Sequence, residues 1–210
     1  MNPGATARPT GTDLLVLHAL RCAGFSGIPA LAGVTGLAES DVESELIDLA
    51  VAGLVTHTPG DFGGWGLTEA GRAADAERIA AELDTAGARA GTGAAFERFL
   101  VLNPELLDLC TAWQLRAADG AMTMNDHSDP DYDARVLHRF ADFHRRAEPV
   151  LAELAALLLR FHRYPVRLAD ALGRARAGER EYVAENTSSY HSVWFQLHED
   201  LLTTLGIPRH

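Results

Sequence analysis

ESDVESELIDLAVAGL, residues 39–54, decides how the first third of the chain folds. Val42, Leu46 and Leu49 recur at i, i+4 and i+7, with Gly53 further along the same line; this is the spacing of one buried helical stripe, so the remaining positions must face outward. Ser40 is a residue type that caps such a helix, and Gly53 one that ends it. Before this segment, Leu14, Leu17 and Leu20 with Val16 and Ala19 predict an amphipathic helix, and Ile28–Val34 predicts a short second one after Gly24 and Gly27. After it come Leu54-Val55-Thr56-His57, the turn residues Pro59-Gly60 and Gly63-Gly64, and Trp65-Gly66-Leu67-Thr68, which predict two short strands around a loop. Thr68 with Glu69 then opens a capped helix.

The run AGLVTH (52–57), the glycine-rich loop and GLTEAGR (66–72) resemble the MarR-like winged helix-turn-helix transcriptional regulators over roughly residues 12–83. The resemblance and the helical pattern that follows give an expected fold class. It is mainly α, a winged helix-turn-helix of three helices plus a small β-hairpin wing, followed by a helical bundle. The family reads DNA with the outward face of its third helix and touches phosphates from the wing. Aligned on Ala52–Val55, those positions fall on Asp41, Glu43, Ser44 and Asp48, with Ile47 nearby, and none is a cation. Where the family commonly carries Asp-x-Arg in the wing, this chain has Asp61-Phe62-Gly63. Arg72, beside the wing, is the candidate phosphate contact, and a homodimer could also bring Arg8 or Arg21 to DNA.

Charge weighs against strong nucleic-acid binding. The 210 residues carry a formal net charge of −11, with 18 Lys+Arg, all of them arginine, against 29 acids, whereas affinity for nucleic acid rests on neutralising phosphates. Residues 1–90 hold five arginines against twelve acids and residues 91–210 thirteen against seventeen, so the half resembling a DNA-binding domain is the more acidic one. Cys22 and Cys110 form no CxxC and sit in apolar helical contexts, as small core residues of a reducing compartment do. No run of 18 apolar residues occurs and Met1–Gly11 lacks signal-peptide regions, which predicts a cytoplasmic protein without membrane contact.

Composition divides the chain into a flexible tail (1–11), the winged-helix domain (12–84), a linker (85–93) whose three glycines weaken any helix, and a helical C-terminal domain (94–210). That domain opens with Phe96–Leu102, an interruption at Asn103-Pro104, and Glu105–Ala117 with Leu106, Leu109, Trp113 and Arg116 on one face. Residues 118–130 read as a loop. Its acids do not match a calcium loop, which needs glycine at its sixth and glutamate at its twelfth position, and Asp129 reads instead as the cap of a helix begun by Pro130. A long helix from Asp131 to about Phe161 follows, bent at Pro149, then short helices at Pro165–Ala177 and Ser188–Leu205.

Candidate ligand contacts are His191, Trp194 and His198 on the last helix, with His138 and Trp113; core packing is the alternative role for them, and no metal motif accompanies them. Phosphate loops, nucleophile elbows and zinc-protease helices are absent from the sequence, so neither catalysis nor a cofactor is expected. Between Ala134 and Arg180 ten arginines face five acids. They would form a basic patch for an anionic small-molecule effector or an acidic protein surface, or else a solvated helix face. Residues 94–205 also resemble, loosely, helical extensions of winged-helix regulators, some associated with phosphoenolpyruvate-utilising enzymes. Two functions follow: a MarR-like transcriptional regulator with a dimerising or effector-sensing helical domain, or an accessory adaptor whose acidic winged helix docks on a basic partner.

Overall fold

The computed structural model describes residues 10–60, 63–118 and 120–208. The tail read at residues 1–9, with Arg8, and the Asp61-Phe62 pair lie outside them. The fold is mainly helical with small antiparallel hairpins. Helices α1 (Thr12–Ala23), α2 (Ile28–Thr35) and α3 (Glu39–Val51) precede strands β1 (Val55–Thr58) and β2 (Gly64–Leu67), which pair antiparallel with Val55 opposite Leu67. A single bridge joins Ser26, ahead of α2, to Trp65. Val42, Leu46 and Leu49 are buried as their spacing requires and pack with Leu17, Leu31 and Val55. Ser40 does not cap α3: the cap position is Ala38, without a side-chain bond, and Ser40 lies inside the helix.

Helix α4 (Glu69–Thr85) opens as the sequence predicts, with Thr68 Oγ1 accepting from the Gly71 amide at 3.0 Å. Gly71 is required there by proximity. A Cβ on it would sit 1.9 Å from the Leu54 carbonyl oxygen. Gly71→Ala is therefore expected to push α4 off β1 and cost at least about 1–3 kcal/mol, as overpacking does; an unchanged urea midpoint would show that the α4 start is free to move. Along its length α4 changes core, since Ala74 packs against the N-terminal cluster while Leu83 belongs to the helical one.

The expected linker is largely helix. Only residues 86–88 separate α4 from α5 (Arg89–Gln114), and Gly91 and Gly93 lie in its first turns. Nor does Asn103-Pro104 interrupt it: α5 is one helix with Pro104 inside. An interior proline costs about 3 kcal/mol. Against that, Phe96, Phe99, Leu106, Leu109 and Trp113 are buried along the same helix, each contributing roughly 1.5–3 kcal/mol, and the sum outweighs the kink. The stretch read as helix end and loop is instead a second hairpin, β3 (Leu115–Ala118) with β4 (Ala121–Met124), and Arg116 lies on it rather than on the helix.

Helix α6 (Pro130–Leu157) is capped by Asp129, whose carboxylate accepts from the Tyr132 amide at 2.9 Å, and contains Pro149. A 3-10 turn (Leu159–His162), α7 (Arg163–Arg176) and α8 (Tyr190–Leu205) complete the bundle. Helix α8 packs on α5 and α7 and also on α1 and α4 of the N-terminal part. No helix among the described residues is long and apolar enough to cross a membrane.

Candidate functional site

Where α8 meets α1 and α4, the interior is charged. His18 occupies a position of α1 between buried Leu17 and Ala19 and is itself 1% exposed. Its Nδ1 lies 3.0 Å from Asp75 Oδ1 on α4, and its Nε2 lies 3.0 Å from Asp200 Oδ1 on α8. Cys22, one turn along α1, brings Sγ to 3.5 Å from the same Nε2.

Asp200 gathers donors from three elements. Arg160, on the 3-10 turn, donates from Nη1 to Oδ1, while Arg163 Nη2 and the Tyr164 hydroxyl, both on α7, reach Oδ2 at 3.1 and 2.8 Å. Thr204, one turn along α8, donates to Oδ1 at 3.0 Å. Arg160 is fully used, with Nε on Glu82 at 2.8 Å and Nη2 on Thr204 at 2.5 Å.

Three cations (His18, Arg160, Arg163) therefore face three carboxylates (Asp75, Glu82, Asp200), which is how buried charge is tolerated. Burial alone would raise the Asp200 carboxyl, but Arg160, His18 and Arg163 hold it well below the usual carboxylate range. Burial alone would lower His18, but Cys22, Asp200 and Asp75 raise it well above the ordinary imidazole value, so it is protonated at neutral pH.

His18, Cys22 and Asp200 bring ligand-type atoms within 4.8 Å of one another. This donor set does not fit a metal. Both imidazole nitrogens already contact carboxylates, both Asp200 oxygens hold guanidinium donors, and a cation there would lie against Arg160 and Arg163.

Two clefts flank the network. One, of about 300 Å3, is lined by Thr10, Leu15, Thr35, Leu159, Arg160, His162 and Arg163. The other, of about 250 Å3, is lined by Cys22, Ala23, Thr187, His191, Ser192, Phe195 and Gln196.

The residues singled out from sequence are scattered relative to this site. Asp41, Glu43, Ser44 and Asp48 are exposed together on α3, with Ile47 and Val51 at 52% and 85% exposure among them. Arg72 is exposed, and its Nη1 donates to the Leu67 carbonyl at 3.2 Å.

The five expected ligand residues do not converge. Trp113 is buried against His127 at a ring separation of 4.7 Å, and His127 Nδ1 lies 2.9 Å from Asp133. His138 is on the outside of α6, 3.6 Å from Asp142. Trp194 stacks on Phe99 and donates to Asn103 at 3.0 Å, while His198 lies against Phe96 and Phe99. Only His191 among the five lines either cleft.

The ten arginines of 134–180 do not form one patch. Arg160 and Arg163 are interior, Arg146 pairs with Glu105, Arg145 with Asp142 and Arg174 with Glu179.

The buried network itself went unread in the sequence, although it left a trace. His18 interrupts the apolar face of α1, and Asp200 falls three residues after Leu197 and beside Leu201 on the buried stripe of α8. Comparison of the chain with family models, with curated proteins and with solved structures finds no match in any of the three.

Proposed function

We propose that the chain is a regulator built on a MarR-like winged helix-turn-helix, with α3 as its output surface and the helical half as its input. The observation that carries this reading is the buried charge network. It ties α1 and α4, which pack with α3 and β2 into one unit, to the turn and helices beside an arginine-bearing cleft, so a change at the cleft is felt by the unit that presents α3. The order α1, α2, α3, β1, β2, with Ser26 bridging to Trp65 as a rudimentary third strand, supports the winged-helix reading, and such units bind DNA through the third helix, as dimers in this family.

The outward face of α3 favours a second partner. Asp41, Glu43 and Asp48 repel a phosphate field, and together with exposed Ile47 and Val51 they match a basic protein surface with an apolar centre. A mobility-shift titration with the DNA flanking the gene, at two salt concentrations, separates the two. DNA reading predicts a shallow salt dependence, equivalent to about three to five phosphates per dimer, and tighter non-specific binding once Asp41 and Asp48 are both replaced by Asn. A shift absent in wild type and double variant alike at low salt excludes DNA as the partner of α3 and leaves the adaptor reading.

A further inference from the structure

The charge network closes on itself except at α7. With His18, Arg160 and Arg163 balanced by Asp75, Glu82 and Asp200, Arg167, one turn beyond Arg163 and mostly withdrawn from solvent, is a surplus cation. The surplus is also written in unsatisfied donors. Arg163, whose side chain is 10% exposed, uses Nη2 on Asp200 and Tyr164, while its Nε and Nη1 have no hydrogen-bond partner; Arg167 Nη1 has none either. Buried guanidinium donors are otherwise almost always paired, so their arrangement marks missing acceptors. The cleft of about 300 Å3 reaches Arg163 and the first turn of α7, a 14-residue helix whose amide end favours negative charge, and the Thr10 and Thr35 side chains line it.

We infer that this cleft binds a small molecule through a compact oxyanion head, phosphate or carboxylate, which accepts from the free donors of Arg163. Phosphate and carboxylate share the geometry that a guanidinium fork recognises. Because Nη2 stays on Asp200, the bound anion adds to the network rather than competing with it and tightens the junction between α7, α8 and α1. The inference deepens the input side of the proposed regulator and rests on that reading only for its regulatory consequence, since binding is measured on the protein alone, without DNA or a partner.

The test is isothermal titration of the full chain with inorganic phosphate and, separately, with acetate, each against chloride at matched ionic strength, with melting temperature read in parallel. Saturable binding of one anion per chain and a rise in melting temperature are expected; which of the two anions saturates identifies the head group. Arg163→Lys, which keeps the charge and loses the fork, should weaken binding about tenfold or more. Leu159→Trp fills the cleft from a half-exposed position outside the network, and should abolish binding while the unliganded protein melts as before. Wild-type protein that saturates with neither anion, or a Leu159→Trp protein that binds as wild type does, overturns the inference.

Discussion

Replacing Asp200 by Ala is expected to destabilise the protein by about 3–5 kcal/mol, the cost of stripping one partner from a buried ion network. The side chain accepts from Arg160, Arg163, Tyr164 and Thr204 and lies against His18, so its removal leaves two guanidinium groups and an imidazolium in the interior with a single carboxylate balancing each end. Asp200→Asn keeps the volume but not the charge and should fall between the two. Urea denaturation measures both, and a midpoint for Asp200→Ala equal to wild type would show that the network is not what holds α8 to α1.

The same groups set a pH dependence. The folded pKa of Asp200 is depressed, so its contribution is present above the unfolded value near 3.8 and is lost as pH falls through the folded one. That of His18 is raised, so its contribution is complete below the unfolded value of 6.5 and is lost as pH rises through the folded one. Stability from this network should peak between about pH 4.5 and 6.5 and decline toward pH 9. His18→Gln should flatten the alkaline limb, and an alkaline decline of the same size in that variant would move its cause elsewhere.

Trp194→Ala is expected to cost about 3–5 kcal/mol, as large-to-small changes of buried aromatics do. The indole is 2% exposed, stacks on Phe99 at 4.5 Å, meets the Phe143 edge at 5.1 Å and donates to Asn103 at 3.0 Å. Truncation opens a cavity between α5, α6 and α8 and orphans the Asn103 amide oxygen. Trp194→Phe, which retains the ring contacts, should recover most of the loss. A melting temperature unchanged in the Ala variant would contradict the packing of α8 against α5.

The helices with a clear apolar period were legible in the sequence. Val42, Leu46 and Leu49 place α3, and the Thr68 and Asp129 caps place α4 and α6 to within a residue. What failed was local propensity against tertiary packing. Three glycines and Pro104 argue for breaks, yet burial of Phe96, Phe99 and Leu106 carries one helix through both. The hairpin β3–β4 was missed although Asp119-Gly120 is a strong two-residue turn signal, and Gly120 has φ +81°.

The candidate site was hidden for a different reason. His18, Asp75, Glu82, Arg160 and Asp200 span 182 residues, and no spacing rule joins residues from α1, α4, α7 and α8. The histidines of α8 drew notice by spacing alone, whereas the decisive sign was polarity at positions that periodicity assigns to the core: His18 within the apolar run of α1, and Asp200 on the stripe of Leu197 and Leu201.

Whether the N-terminal unit and the helical half are one cooperative body is tested most directly by hydrogen exchange of the wild-type protein across a urea series, following the amides of α1 and α3 separately from those of α6 and α8. Coupling through His18, Asp75, Glu82, Arg160 and Asp200 predicts that the most protected amides of both halves open with the same free energy and at the same midpoint, and that Asp200→Ala splits them into two transitions. Separate transitions in the wild-type chain, with α1 and α3 opening while α6 and α8 remain protected, would contradict it.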